Sequence, residues 1–309
     1  MIREKLLVSS SKLTTFKIGG NAAIVYEPSS LDSLADLVRR LDNYYIIGNG
    51  SNVVFPDSGI RRPIIRLPAE FASWQVVECF PDSLDLVKNI NVNSAFENQN
   101  EINVLVFAAM SLMRLSSDLT NLSLTGLEFA AGIPATLGGA VAMNAGAHGS
   151  EISDLVESLY VMDAEGKIKK IEKALLSFSY RNSTISGIVV AAALKLRHGD
   201  KDQVVAKRRS CLEYRKSTQP LSMPSAGSVF LNIQLPNNEI KYAASLLESI
   251  GIKGQRIGGV EFSQMHSNWI VKVSEDAKTE DLIKLINKAQ AIVKEKYSLD
   301  LITEIKFWS

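Results

Sequence analysis

Leu31, Leu34, Leu37, Val38 and Leu41 fall three and four residues apart, the spacing that lines one face of a helix, and Ser30 and Asp32 supply its start. A strand is predicted at 44–47. It runs straight into Gly48-Asn49-Gly50-Ser51-Asn52, and apolar 53–55 with a turn at 57–59 completes a small α+β lobe whose loop faces a ligand. Another strand is predicted at 64–67. From 70 to 99 the pattern is irregular, and the Asn-rich stretch 89–100 reads as an exposed excursion. Alternation resumes at Val104, Val106 and Ala108, and helical spacing at 112–119. Strands at 155–162 and 167–171 are joined by the turn Asp163-Ala164-Glu165-Gly166, while 188–196 has the near-continuous apolar character of a buried strand.

A charged helix over 201–215 leads to Pro220 and Pro224, which punctuate a boundary. Beyond it, 242–250 is helical and stops at Gly251, and Thr279 is expected to cap a helix carrying Leu282, Leu285, Ile286, Ala289 and Val293 on one face. In the last segment, alternation puts Leu299, Leu301, Ile305 and Phe307 on one side and Ile302, Glu304 and Lys306 on the other. Taken alone, Glu304 there is a solvated edge carboxylate. No internal repeat is visible.

A chain of 309 residues is too long for one typical core and predicts two or three domains. Its 34 basic and 33 acidic residues leave a net charge of +1, without the electrostatic footprint of a nucleic-acid or membrane-surface binder. Cys79 and Cys211 lie far apart without metal-ligand spacing, which suits a reducing compartment. His148, His198 and His266 lack spaced His, Cys or carboxylate partners, so no metal site is expected. The N-terminal MIREKLLVSSSKLTTFK has no apolar signal core, and the longest uncharged run, 129–150, is broken by four internal glycines before Gly149, by Pro134 and by Asn144. A cytoplasmic protein without membrane insertion is the expectation.

From Leu115 to Gly166 there is no Lys or Arg, yet Gly126, Gly132, Gly138, Gly139, Gly146 and Gly149 cluster there among small residues. Turn chemistry explains one or two glycines. Six in so apolar a setting favour a wall along which backbone amides, rather than cations, wrap a dinucleotide. Neither a Walker loop nor a strand followed by GxGxxG occurs.

The motifs GNGSNVVFPDSG, GLEFAAGIPATLGGAVAMNAGAHG, FSYRNS, PSAGSVF and GQRIGGVEFSQMHSNWIV follow one another at domain-sized separations. With TTFKIGG near the start, they resemble the UDP-N-acetylenolpyruvoylglucosamine reductase (MurB) family over almost the full length, and the short span 180–196 resembles its compact subtype. The resemblance implies an α+β fold. A two-lobed FAD-binding domain of the vanillyl-alcohol-oxidase (PCMH) type, with lobes at 1–67 and 68–217, would be followed by an α+β substrate-binding domain at 218–298, with 299–309 returning near the active site. It also implies reduction of the enolpyruvyl group of UDP-N-acetylglucosamine enolpyruvate to UDP-N-acetylmuramate for peptidoglycan synthesis, with NADPH as hydride donor and FAD as carrier.

By that resemblance, Arg181 stabilises the enolate, Ser228 protonates it and Glu304 partners Arg181 as a protonated acid, the three converging over the flavin. FAD would be held by Gly48, Asn49, Gly50, Ser51 and Asn52 on one side. On the other stand Gly132, Ile133, Pro134, Gly138, Gly139, Asn144 and Gly146. Tyr180 and Arg256 would meet the UDP-sugar, as would His266 and Asn268, for which a structural role is the stronger reading. The chain departs from the family pattern at Leu231, where a basic residue is usual, and at Ala108-Ala109, Thr303 and Lys306; Lys216 or Arg256 would then supply the missing cation. Two alternatives stay open. One is another flavin oxidase of this type, with His148 as the only histidine placed to tether the flavin; the other is an idle FAD or nucleotide-sugar binder.

Overall fold

The computed structural model describes residues 1–84 and 100–309. It divides into two compact units, one of Met1–Glu4, Tyr26–Gly48 and Ile64–Tyr214, the other of Lys5–Val25, Asn49–Pro63 and Arg215–Ser309. Strands β1 (Ile2–Ser9), β2 (Asn21–Pro28), β3 (Tyr45–Ile47) and β5 (Ile64–Arg66) form one sheet in the order β1-β2-β5-β3. β4 (Val53–Val54) lies outside that sheet.

In the first unit, helix α1 (Leu31–Arg40) begins with a capping box: Ser30 Oγ accepts from the Ser33 amide, and Ser33 Oγ accepts from the Ser30 amide. Its buried Leu34, Leu37 and Val38 are the predicted stripe, each contributing roughly 1.5–3 kcal/mol by leaving water. The main sheet joins β6 (Trp74–Val77), β7 (Glu101–Phe107), β11 (Val156–Met162), β12 (Ile168–Glu172) and β15 (Ile188–His198), with β8 (Leu124–Thr125) on the end of β15. β15 sits between β11 and β7, and its first seven residues are buried. Val189, Ala192, Leu194 and Leu196 enter one core while Ile188, Val190, Ala191 and Ala193 enter another. Burial on both faces is why the strand lacks polar alternation.

Strand β6 corrects the expectation of irregular chain over 70–99; four residues are too few to show a period. The Asn-rich excursion at 89–100 lies outside the described residues apart from Asn100. Helix α2 (Leu112–Asn121) is capped by Ser111. The glycine-rich run is partly helical as well, with α3 (Leu137–Ala142) capped by Thr136. After it come the small hairpins β9 (Gly146–Ala147) with β10 (Ser150–Glu151), and β13 (Phe178–Ser179) with β14 (Asn182–Ser183). Helix α4 (Lys201–Thr218) is the charged helix expected; within its first-unit part, Val204 and Cys211 are buried.

The second unit holds an antiparallel sheet in the order β16 (Ser225–Ser228), β21 (Trp269–Lys272), β20 (Val260–Phe262) and β19 (Arg256–Ile257). β17 (Ile233–Gln234) and β18 (Ile240–Lys241) pair as a hairpin. Helices α5 (Ala243–Ser249) and α6 (Thr279–Tyr297) pack Leu247, Leu282, Leu285 and Val293 into a core with Phe230 and Phe262. Thr279 is the first residue of α6 rather than its cap. The N-terminal amides of Thr279 and Glu280 instead donate to the Asp57 carboxylate at 2.9 and 3.0 Å, a distant residue doing a local cap's work.

The C-terminal segment is not the continuous strand that alternation predicted. Thr303 bridges Phe230, and only β22 (Lys306–Phe307) forms a ladder, parallel to β4. Leu301 and Ile305 are buried as expected, whereas Phe307 is exposed; Trp308 stacks on Phe55 at 5.6 Å.

Candidate active site

Within the first unit a cleft of about 190 Å³ runs between the end of β3 and the start of α3. Gly48, Ala108, Ala109, Thr136, Gly138 and Gly139 form its small-residue wall, and Ile46, Leu67 and Val189 are among its apolar sides; among the described residues no charged one lines it. Its width depends on missing side chains. A Cβ on Gly48 would stand 2.4 Å from Thr136 Oγ1, and one on Gly138 would stand 3.1 Å from Ala108 Cβ. The departure to Ala108-Ala109 therefore keeps the site narrow-walled.

The amides of this wall are less available than the glycine pattern suggested. Ile133 N–H donates to Ala130 O, Leu137 N–H to Met110 O, Gly138 N–H to Ala108 O and Gly139 N–H to Thr136 Oγ1. Gly132, at φ +83°, turns the chain ahead of Pro134. What the segment offers a ligand is shape and small size.

Asn144 and Gly146 both contact Arg181 through their carbonyls. Arg181 Nη2 donates to Gly146 O at 2.8 Å, and Nη1 donates to Asn144 O at 3.5 Å. Glu151 Oε1 stands 3.8 Å from Nη1. The Asn144 side chain is buried, donating to Glu151 Oε2 at 2.7 Å and Ser179 O at 3.0 Å while accepting from the Ser153 amide. Arg181 itself sits at φ +55° and Asn144 at φ +41°. A left-handed arginine costs of order 1–3 kcal/mol, which the surrounding bonds offset. The Tyr180 ring lies 4.9 Å below the guanidinium carbon and is itself exposed. His148 makes an edge contact with Tyr214 at 5.3 Å.

In the second unit, Ser228 ends β16 after a bulge in which Gly227 takes φ +81°. Val229 N–H donates to Asn268 O, and Glu304 N–H donates to Val229 O at 2.8 Å. Ser228 and Glu304 thus arise beside one another on the backbone. Asn268 is buried, its Oδ1 accepting from the Phe230 amide at 3.0 Å and its Nδ2 donating to Phe230 O at 2.8 Å. Both ends of its carboxamide thus bond the main chain of Phe230.

Asn52 likewise ties elements together: Nδ2 donates to Glu304 O, and its own carbonyl accepts from Lys306 N–H. Gly50, at φ +60°, packs so closely that a Cβ would lie 2.1 Å from Leu13 O. Ser51 O runs beside Gly227, 3.9 Å from where its Cβ would be. Asn49 completes that loop in the same unit.

His266 is half-buried, its Nδ1 accepting from the Asn268 amide. Burial and neighbouring Lys253 lower its pKa. Arg256 is exposed and donates through Nε to Gly258 O; Lys216 is exposed near the end of α4.

Three residues escaped the sequence reading. Glu151 ends the uncharged run at its C-terminal border, and that position was the available signal. Glu128 is a buried carboxylate accepting from Thr125 Oγ1 at 2.6 Å and the Gly126 amide at 2.8 Å, with Lys207 Nζ at 3.6 Å. Burial pushes its pKa up, but those hydrogen bonds and the ammonium bring it below the usual glutamate value. Arg215 is the one buried arginine among the described residues, hidden in a helix that composition marks as solvated.

Comparison with known proteins covers both units. The family model described as UDP-N-acetylenolpyruvoylglucosamine reductase, C-terminal domain, matches residues 219–308, and an FAD binding domain model matches residues 84–172. The UDP-N-acetylenolpyruvoylglucosamine reductase of Bacillus subtilis (strain 168) is 38% identical over 301 residues, covering 95% of this chain and 90% of the relative. That of Caldanaerobacter subterraneus subsp. tengcongensis is 35% identical over 300 residues, covering 95% and 89%. A crystal structure of the reductase (MurB) from Thermus caldophilus aligns with a TM-score of 0.79 at 28% identity, covering 100% of this chain and 99% of that one. The α+β class read from sequence holds, and identity sustained across nearly the whole length decides the affiliation: the chain belongs to the UDP-N-acetylenolpyruvoylglucosamine reductase family.

Proposed function

We propose that this chain reduces the enolpyruvyl ether of UDP-N-acetylglucosamine enolpyruvate to UDP-N-acetylmuramate, with NADPH as reductant and FAD as cofactor. The observation that carries the reading is the pairing of the Ser228 and Glu304 segments through the Glu304 N–H to Val229 O bond, which sets a hydroxyl and a carboxyl on neighbouring backbone. The first-unit cleft fits FAD. Its glycine and alanine wall would be filled by any larger side chain, its sides are apolar, and nothing charged among the described residues lines it. Gly48, Thr136, Gly138 and Gly139 would hold the group, which when bound supplies the hydride for the substrate's β-carbon.

Arg181 grips the substrate carboxylate. As the carbon–carbon π pair moves toward the α-carbon, charge builds on that carboxylate, and a guanidinium already fixed in place needs no reorganisation to meet it. Ser228 Oγ gives its proton to the α-carbon and recovers one from solvent. A serine is a weak acid, but an enolate is a strong base and the transfer is local. Glu304, in its protonated form, hydrogen-bonds the enolic oxygen. Tyr180 supports the substrate beside Arg181, to which it is stacked.

The substrate is a water-soluble nucleotide sugar, and among the described residues no helix is long and apolar enough to cross a membrane. With Cys79 and Cys211 both free, the cytoplasm is the fitting location. The test is a two-step anaerobic titration. NADPH should bleach the flavin absorbance, and the enolpyruvyl sugar nucleotide should restore it with one equivalent of UDP-N-acetylmuramate formed. Bleaching without restoration would leave an idle flavin binder.

A further inference from the structure

We infer that Glu151 is a positioning residue for the reduction, holding the Arg181 guanidinium in its working orientation together with Asn144. The inference rests on the role assigned to Arg181 above. Glu151 is itself fixed: its amide donates to Asp154 Oδ2 at 2.8 Å, and it lies on the β9–β10 hairpin. One carboxylate oxygen faces Arg181 Nη1 at 3.8 Å, and the other accepts from the buried Asn144 at 2.7 Å.

Asn144 closes the circuit. Its Nδ2 also reaches Ser179 O, two residues before Arg181 on the β13–β14 hairpin, and its main-chain oxygen accepts from Arg181 Nη1. The glycine loop therefore contacts the arginine three ways: through the Asn144 and Gly146 carbonyls and through the Glu151 charge. The carbonyls set the plane of the guanidinium, while the carboxylate resists its rotation out of that plane. A rim ion pair would have neither the second bond to a buried amide nor the tethered backbone. With side-chain exposures of 33% for Glu151 and 21% for Arg181, solvent competes only partly for either group.

The test is Glu151→Gln, which keeps an acceptor for Asn144 and removes the charge at Arg181. In the holoenzyme, single-turnover reduction by NADPH should stay within about 2-fold of wild type, while reoxidation by the enolpyruvyl sugar nucleotide slows about 10- to 100-fold, the size of effect a misplaced group produces. In an Arg181→Ala background the same change should alter reoxidation by less than about 2-fold, because the residue acts through the arginine. Equal slowing of both half-reactions, or an undiminished effect in that background, would overturn the inference. Arg181→Ala alone separates the two ideas. If it leaves reoxidation intact, the assigned arginine role fails; if it slows reoxidation and Glu151→Gln does not, only the positioning role fails. Should Glu151→Gln lose flavin or fold, Glu151→Asp, which keeps the charge but withdraws it by one methylene, carries the same comparison with the same expected split.

Discussion

Gly48→Ala tests the geometry of the cofactor cleft most directly, because the structure fixes both the sign and the partner of its effect. The new Cβ would lie 2.4 Å from Thr136 Oγ1 and 3.5 Å from Thr136 Cβ. Only a rotamer turning Hβ toward residue 48 removes the overlap, and it carries Oγ1 away from the Gly139 amide that it caps. Loss of an N-cap costs about 1 kcal/mol, and residual crowding adds about 1–2 kcal/mol. Gly48 is not at positive φ, so alanine also stabilises by about 0.4–1 kcal/mol through the unfolded chain. The net expectation is a loss of about 1–2.6 kcal/mol. In a Thr136→Ala background no oxygen remains to strike and no cap to lose, so the same change should be neutral or stabilising by about 0.5 kcal/mol. Urea midpoints of the four proteins, measured at several FAD concentrations to remove the ligand's contribution, read out this reversal. A Gly48→Ala penalty of equal size in both backgrounds would refute the argued contact.

Ser228→Ala should leave flavin reduction by NADPH within about 2-fold and slow reoxidation by substrate by about 10²–10⁴-fold, as stopped-flow absorbance would resolve; matched losses in both steps would count against a proton-donor role. Asn268→Leu strands the buried amide and carbonyl of Phe230 and should cost about 2–4 kcal/mol in urea unfolding, whereas a loss below about 0.5 kcal/mol would show that water takes over both bonds. Glu128 has a folded pKa below the ordinary value of 4.5, so its carboxylate stabilises the fold above that pH and the contribution disappears as pH falls through the lowered value. The advantage of wild type over Glu128→Gln should therefore be full near neutrality and shrink below about pH 4.5; an advantage that grows on acidification would reverse the sign of the linkage.

How far the fold could be read from sequence depended on whether a residue's burial shows up as a period. Leu34, Leu37 and Val38, the stripe of α6 and the unbroken apolar run of β15 all report burial directly, and all three elements lie where the pattern put them. β6 was too short to carry a period, and α3 was disguised by glycines that lower helix propensity while its packing against Ala108 and its Thr136 cap hold it helical. The cap of α6 shows a second limit. Asp57 lies far from Thr279 in sequence, and no local spacing encodes a bond of that kind.

The candidate site repeats that division. Composition placed Glu304 on a solvated edge and made Arg181 and Ser228 unremarkable; only the order of motifs singled them out. Hydrogen bonding then shows what the residues around them do. The second asparagine in GNGSN, Asn52, holds the Glu304 backbone, the asparagine in MHSNWIV holds the chain after Ser228, and the NAGAHG loop holds Arg181. Each glycine- or asparagine-rich segment that looked like a ligand contact thus also carries the backbone bonds that aim one chemical group. A substitution in such a segment should consequently be judged by which of those groups loses its support, and the separate half-reactions provide the means: under the roles proposed above, loss of support at Ser228 or Arg181 is expected in reoxidation and widening of the Gly48–Thr136 wall first in flavin affinity.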